Sequence, residues 1–106
     1  MKLTEVTIVR VYLTETNAHL KTMLKRLNDW GKVKGVTVFH GVAGFGQSSK
    51  IHSSSQLKMD GDDNNLPVVI EFFDTPDKAA AMMDYLNKLV EPGHIVSWNA
   101  NLSMGD

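Results

Sequence analysis

The chain has 106 residues, 42% of them hydrophobic and 22% charged, with a formal net charge of −1. That length fits one domain, 1–106, with a core of its own, and the near-neutral balance excludes a global field that would draw the chain onto nucleic acid. There is no cysteine, which excludes disulfides, thiolate metal sites and cysteine nucleophiles, and no apolar run reaches membrane-spanning length, so no direct membrane insertion is expected.

Met1-Lys2-Leu3-Thr4-Glu5 leads straight into a strand pattern rather than a signal peptide, so a cytoplasmic location is expected. Val6 to Leu13 is β-branched and apolar and reads as the first strand. From Asn17 to Trp30 the apolar residues Leu20, Met23, Leu24, Leu27 and Trp30 recur at helical spacing, and Gly31 and Gly35 bracket the exit. Val36 to Val42 is the second strand. Gly44 to Asn65 is a loop, flexible from about residue 47 to 65, with Ile51, Leu57 and Met59 as its main apolar residues. Val68 to Phe73 is the third strand. Thr75 suits a helix cap and Pro76 a first turn, and the helix they open buries Ala79, Met82 or Met83, Leu86, and Leu89 or Val90. Glu91-Pro92-Gly93 ends it, and Ile95 to Leu102 is the last strand. The order βαββαβ predicts an α+β, ferredoxin-like sandwich, with two helices on one face of an antiparallel sheet.

A sheet with helices on one face and water on the other alternates apolar with polar. These strands do not. Val6, Ile8 and Tyr12 oppose Val9, Val11 and Leu13. Val68, Ile70 and Phe72 oppose Val69 and Phe73. The helices can cover only one face, so the other is expected to meet further subunits in a homo-oligomer.

The second strand runs into a glycine cluster, Gly41-Val42-Ala43-Gly44-Phe45-Gly46-Gln47, followed by the polar segment Ser48 to Ser55. Glycines permit positive φ and close approach of the backbone to a ligand. Taken alone, the junction fits either a plain strand-to-loop turn or a cradle for an anion.

The run from Gly35 to Gln47, taken with Leu66-Pro67-Val68-Val69-Ile70-Glu71 and Asp74-Thr75-Pro76-Asp77-Lys78, resembles the PII-like signalling superfamily. The best match is the small PII-like family long filed as a domain of unknown function. Its GxTVxxGxxGFG strand, IH-containing loop and LPVVIE strand are met by Gly35 to Gly46, Ile51-His52 and Leu66 to Glu71. The resemblance runs over nearly the whole chain. It implies a ferredoxin-like homotrimer whose subunit clefts bind adenine nucleotides and whose central loop signals occupancy to a partner, a membrane transporter or a metabolic enzyme. It implies a regulatory protein rather than an enzyme, with the nucleotide as effector and no cofactor.

The same resemblance suggests the site residues. Thr37 matches the strand threonine near the adenine. Gly44, Phe45 and Gly46 form the turn whose backbone N–H groups meet phosphate, and Gln47 stands at the base of the loop. The backbone of Phe73 meets the base. Gly93 and His94 match the end of a phosphate clamp. That clamp is short here, the strand has one extra residue before its GFG, and the arginines of PII proteins near their end are missing; Arg10 and Arg26 are the only arginines. AMP, ADP or a cyclic nucleotide is therefore expected over ATP.

Other constellations carry less. His40, His52 and His94 could be brought together between subunits around a metal, which would suit a metal-responsive trimer resembling the divalent-cation tolerance proteins. No HxH or HxxxH spacing supports a site within one chain. Asp60 to Asn65 looks superficially like a calcium loop, but Asn65 replaces the turn glycine and Glu71 falls in a strand. Lys21, Lys25, Arg26, Lys32 and Lys34 read as a solvated basic face from which one or two residues could attract phosphate. Trp30 and Trp98 are expected to pack at element ends.

Overall fold

The computed structural model describes residues 1–45, 52–53 and 65–106. Strand β1 spans Lys2–Thr14 and helix α1 Leu20–Arg26; one π turn, Leu27–Gly31, continues α1. Strand β2 spans Gly35–His40, and the short strands β3 and β4 are Ala43–Gly44 and His52–Ser53. Strand β5 is Pro67–Asp74, helix α2 Pro76–Leu86 and strand β6 Ile95–Gly105.

The four long strands form one sheet in the order β2-β5-β1-β6, every neighbour antiparallel. This is the ferredoxin-like arrangement expected from the βαββαβ order. β3 and β4 pair separately, Gly44 opposite His52. β2 stops at His40 for a local reason. Gly41 N–H donates to Pro67 O at 2.8 Å, and Pro67 has no N–H to return, so the ladder cannot continue to the expected Val42.

The helix-side core holds Val9, Val11, Leu13, Ile70 and Phe72 from the sheet and Met23, Leu27, Ala79, Met82 and Leu86 from the helices, with Val36 and Val38 against it. Every second residue of β5 is buried, from Val68 to Asp74, the period of a strand with one face inward. At the expected alternative, Met82 rather than Met83 is the fully buried methionine.

The first helix differs from its expected span at both ends. Asn17 Oδ1 accepts the N–H of His19 at 2.8 Å, an Asx turn that precedes the helix, whose first residue is Leu20. At the other end, Lys32 takes a left-handed φ of 47°. Gly31 is buried, and a Cβ there would lie 2.5 Å from Met82 Sδ. The Met82 side chain therefore fills the space that a side chain at residue 31 would occupy. Thr75 holds the N-cap position of α2 and Pro76 follows, as expected, though the threonine makes no side-chain bond. Asp74, 3% exposed, anchors the entry to the helix instead: Oδ1 accepts Thr75 N–H at 2.7 Å and Oδ2 accepts Lys34 N–H at 3.0 Å.

The helices cover one face only. On the other, Tyr12, Phe39, Val96, Trp98 and Met104 are exposed. Trp98 thus lies within β6 on the open sheet face, not at the end of an element. Trp30's side chain lies outside the described residues. No helix among them is long and apolar enough to cross a membrane.

Candidate functional site

The middle of the open face carries a polar row in an apolar field. Register places Thr37 of β2 opposite Glu71 of β5, Glu71 opposite Arg10 of β1, and Arg10 opposite Val96 of β6. Directly paired residues share a face, so Thr37, Glu71, Arg10 and Val96 form one line across the sheet. Arg10 Nε donates to Glu71 Oε1 at 2.6 Å, and its guanidinium lies 5.4 Å from the centre of the Trp98 ring. The Glu71 bond, then a bond with Tyr12, holds Arg10 above its ordinary pKa against an opposing effect of burial. The pair is half-open to solvent, with side-chain exposures of 40% for Arg10 and 26% for Glu71. Among the described residues no hydrogen bond reaches Thr37's hydroxyl or the second carboxylate oxygen of Glu71.

One row further along, Phe73 pairs with Gly35 on one side and Ile8 on the other. A Cβ on Gly35 would lie 3.5 Å from the Phe73 ring, so the absent side chain leaves the ring flanked by bare backbone at the β2 edge. Beside that edge, on the helix side, opens a cleft of about 670 Å³ lined by Leu24, Lys25, Asn28, Val33, Lys34, Gly35 and Val36. Two of the lysines singled out in the basic run, Lys25 and Lys34, line this cleft, on the face of the sheet opposite Thr37.

The glycine turn lies at the far end of the sheet. A Cβ on Gly44 would stand 3.2 Å from Pro67 Cγ, and one on Gly41 2.7 Å from the same atom. Phe45 is 71% exposed. Here His40 Nε2 sits 3.8 Å from Glu15 Oε2, and Glu15 Oε1 accepts Leu66 N–H at 3.4 Å, so β1 and the chain leading into β5 are tied together at the root of the loop. Gly93 has φ +92°, which releases the chain from the turns after α2. The next residue, His94, is held by its backbone, with Tyr12 N–H donating to its carbonyl at 2.8 Å. Its Nδ1 lies 3.0 Å from Glu91 O.

The fold brings Thr37 and Phe73 together on one face at the β2 edge. It does not bring His94 to them. β2 and β6 are the two edges of the sheet, so three strand spacings of about 4.8 Å, or about 14 Å, separate Thr37 from His94 sideways within one chain. From Phe73 to the Pro67 end, where Gly44 lies, six strand residues run about 20 Å. Gly46 and Gln47 lie outside the described residues, as do the side chain of His52 and the loop apolar residues Ile51, Leu57 and Met59. His40 and His94 stand on opposite edges, and among the described residues no group of three His, Asp or Glu side chains could hold a metal.

Sequence reasoning left Arg10, Glu71 and Trp98 without a role at this site. A signal existed: Arg10 and Glu71 are lone charges in apolar strands, and two such charges on neighbouring strands call for each other once the register is known.

The DUF190 family model, described as Uncharacterized ACR, matches residues 6–102. The fold is similar to that of CPII, a nitrogen regulatory PII-like protein from Thiomonas intermedia K12, in a structure bound to ADP, AMP and bicarbonate. The TM-score is 0.67 at 17% identity, covering 99% of this chain and 92% of that one. A second CPII structure, bound to ADP, AMP and acetate, matches with TM-score 0.63 at 15% identity, over 100% of this chain and 94% of that one. A candidate PII-like signaling protein from Thermus thermophilus matches with TM-score 0.61 at 16% identity, over 96% and 91% of the two chains.

Proposed function

We propose a function from one premise: the chain belongs to the DUF190 family, and its fold is that of the PII-like proteins. It is a regulator that binds an adenine nucleotide in clefts between subunits of a homotrimer. Its central loop passes the state of the cleft to a transporter or an enzyme, and it performs no catalysis itself. The observation that carries this reading is the near-complete structural match to CPII, whose structures hold ADP and AMP.

Two features of the chain support it. The open sheet face is too apolar to remain in water, with Trp98, Phe39, Val96 and Tyr12 exposed on one side of a single sheet; patches of that kind mark interaction surfaces. The candidate contacts also divide into two groups. Thr37 and Phe73 sit at one edge, and His94 at the other. One nucleotide can meet both only if neighbouring chains place one edge beside the other, which is what a closed ring of subunits does.

The nucleotide acts by ordering. Its base would settle at Thr37 and Phe73 of one chain, while its phosphates meet the Gly44 turn and a histidine from the clamp. That ties down the root of the loop and shifts which loop conformations a partner can meet. The short clamp and the absence of arginines near residues 91–106 favour AMP, ADP or a cyclic nucleotide over ATP, because fewer cations face the phosphates. Calorimetry with AMP, ADP, ATP, cyclic AMP and cyclic di-AMP, combined with light scattering, tests the reading. Trimer mass and saturable heat for an adenine nucleotide are expected. A stable monomer at micromolar concentration, or no heat and no thermal stabilisation with all five ligands at millimolar concentration, refutes it.

A further inference from the structure

We infer that Arg10 and Glu71 are the pair by which copies of this chain recognise one another: on assembly, Arg10 of one chain meets the free carboxylate oxygen of Glu71 in the next, and the pair decides which chains join. This rests on the oligomer of the reading above and names what its interface selects.

The inference starts from where the two charges stand. On the open face, where the four strands lie side by side, register sets Ile8, Tyr12, Phe39, Val69, Phe73 and Trp98 around them, and Arg10 and Glu71 are the only charged side chains there among the described residues. The pair is not complete within its chain. Arg10 Nε donates to Glu71 Oε1 at 2.6 Å, and a bond joins Arg10 to Tyr12. A guanidinium carries five N–H donors and a carboxylate two acceptor oxygens. Among the described residues no hydrogen bond reaches the second Glu71 oxygen. The Trp98 ring, 5.4 Å from the guanidinium, restrains Arg10 from the β6 side, and the short charge-assisted bond fixes the carboxylate plane. Both groups are therefore held in place, with side-chain exposures of 40% and 26%, and each has hydrogen-bonding capacity to spare.

A face this apolar calls for a cover, and the cover has to accommodate the pair. A wholly apolar partner strips water from both charges and supplies no hydrogen bond, and the loss of hydration can exceed the attraction between them. The surface that fits is apolar elsewhere but brings an acceptor for the guanidinium and a donor for the carboxylate to one place. The open face of a second copy is such a surface. It carries one cation and one anion on neighbouring strands, so each chain supplies what the next lacks. In a closed ring every chain gives one such contact and receives one, and none is left over. The charges also exclude. A neighbour with the signs exchanged sets cation against cation and anion against anion as water leaves, and a clash of that kind is a source of specificity.

The test exchanges the signs. A chain carrying both Arg10→Glu and Glu71→Arg keeps an ion pair of its own with the ends reversed. This chain, with an affinity tag, is co-expressed with the untagged wild-type chain, and the assemblies are separated by capture and weighed by native mass spectrometry. Each kind should assemble with itself. Mixed assemblies should fall at least about tenfold below the share that random mixing gives, because every mixed contact opposes like charges. Random mixing of two chains that each assemble overturns the inference, since the pair then serves only its own chain, and leaves the oligomer reading standing. Where the reversed chain fails to fold or to assemble with itself, Glu71→Gln decides. Its amide keeps an oxygen for Arg10 Nε and turns the free oxygen into an NH₂, which cannot accept from a neighbour. Folded by circular dichroism, it should dissociate in light scattering at a protein concentration about tenfold or more above that of wild type; an unchanged midpoint overturns the inference. A wild-type chain that is a stable monomer at micromolar concentration removes the reading and this inference together.

Discussion

Asp74 should be the most costly single polar residue to lose, and its loss should reach the ligand site. Its side chain is 3% exposed and receives two backbone N–H groups, from Lys34 at 3.0 Å and Thr75 at 2.7 Å. Lys78 Nζ lies 3.6 Å from Oδ2. A hydrogen bond to a charged acceptor contributes about 1.5–3 kcal/mol, so two give about 3–6 kcal/mol before correction. Both donors lie on partly exposed backbone and recover some solvation from water. Lys78 is 38% exposed, so its ion pair adds no more than about 1 kcal/mol. Asp74→Ala should therefore cost about 2–4 kcal/mol. Asp74→Asn, which keeps one acceptor and sets an NH₂ against the other N–H, should cost about 1.5–3 kcal/mol. Urea denaturation followed by circular dichroism measures both. Because the Lys34 bond sets where β2 begins, Gly35 and Thr37 lose their anchor as well, and ADP affinity should fall in the folded fraction. A cost below about 0.5 kcal/mol for Asp74→Ala, with ADP affinity unchanged, would refute the view that this carboxylate holds β2, β5 and α2 in register.

Ile70 faces the helix-side core and is fully buried, whereas Ile8 pairs with Phe73 and Trp98 on the open face; Ile70→Asp should abolish folding by burying a charge, and Ile8→Asp should leave a folded monomer, as read by circular dichroism and light scattering. Gly93 has φ +92° and an open surrounding, with nothing within 4 Å of a Cβ, so Gly93→Ala isolates backbone strain and should cost about 1–2 kcal/mol in chemical denaturation. Gly41→Ala drives a methyl to 2.7 Å from the rigid Pro67 ring and should cost about 1–3 kcal/mol, with a shift of the Pro67 and Gly44 signals in NMR spectra.

The sheet was readable because its signals are local. β-branched runs mark the strands, and Thr75-Pro76 with apolar residues at helical spacing marks α2. What escaped was set by contacts between distant residues. The π turn packs Gly31 against Met82 of α2, and no feature of Leu27 to Gly31 alone announces it. The late start of α1 follows a local feature, the turn-forming Asn17, which helical periodicity outweighed in the sequence. Trp98 was expected at an element end although the strand read from Ile95 to Leu102 already enclosed it; register sets it opposite Ile8 on the open face.

The site was legible to the extent that parity is legible. Alternation sets Phe73 against Ile70 and Phe72, and the structure places Phe73, with Thr37 two residues away on the same face, on the side opposite the core. Alternation cannot say which lone charge meets which. That follows from register, and the register of β1 on β5 is what sets Arg10 against Glu71. Nor can it bring His94 to the glycine turn, because that distance is a property of the sheet's width. The two missing links have one physical origin. An open sheet has two edges and one uncovered face, and in this chain the proposed contacts Thr37 and His94 sit at the two edges while the apolar field fills the face between. A second chain seated on that field covers the face and, by the same movement, brings foreign edges together. Assembly and ligand binding should then be coupled. Dilution that dissociates the oligomer should weaken ADP binding, and ADP should shift the dissociation to lower protein concentration. Analytical ultracentrifugation with and without ADP decides it. An ADP affinity independent of protein concentration across the dissociation would place the whole site within one chain, against the separation of Thr37 from His94 across the sheet.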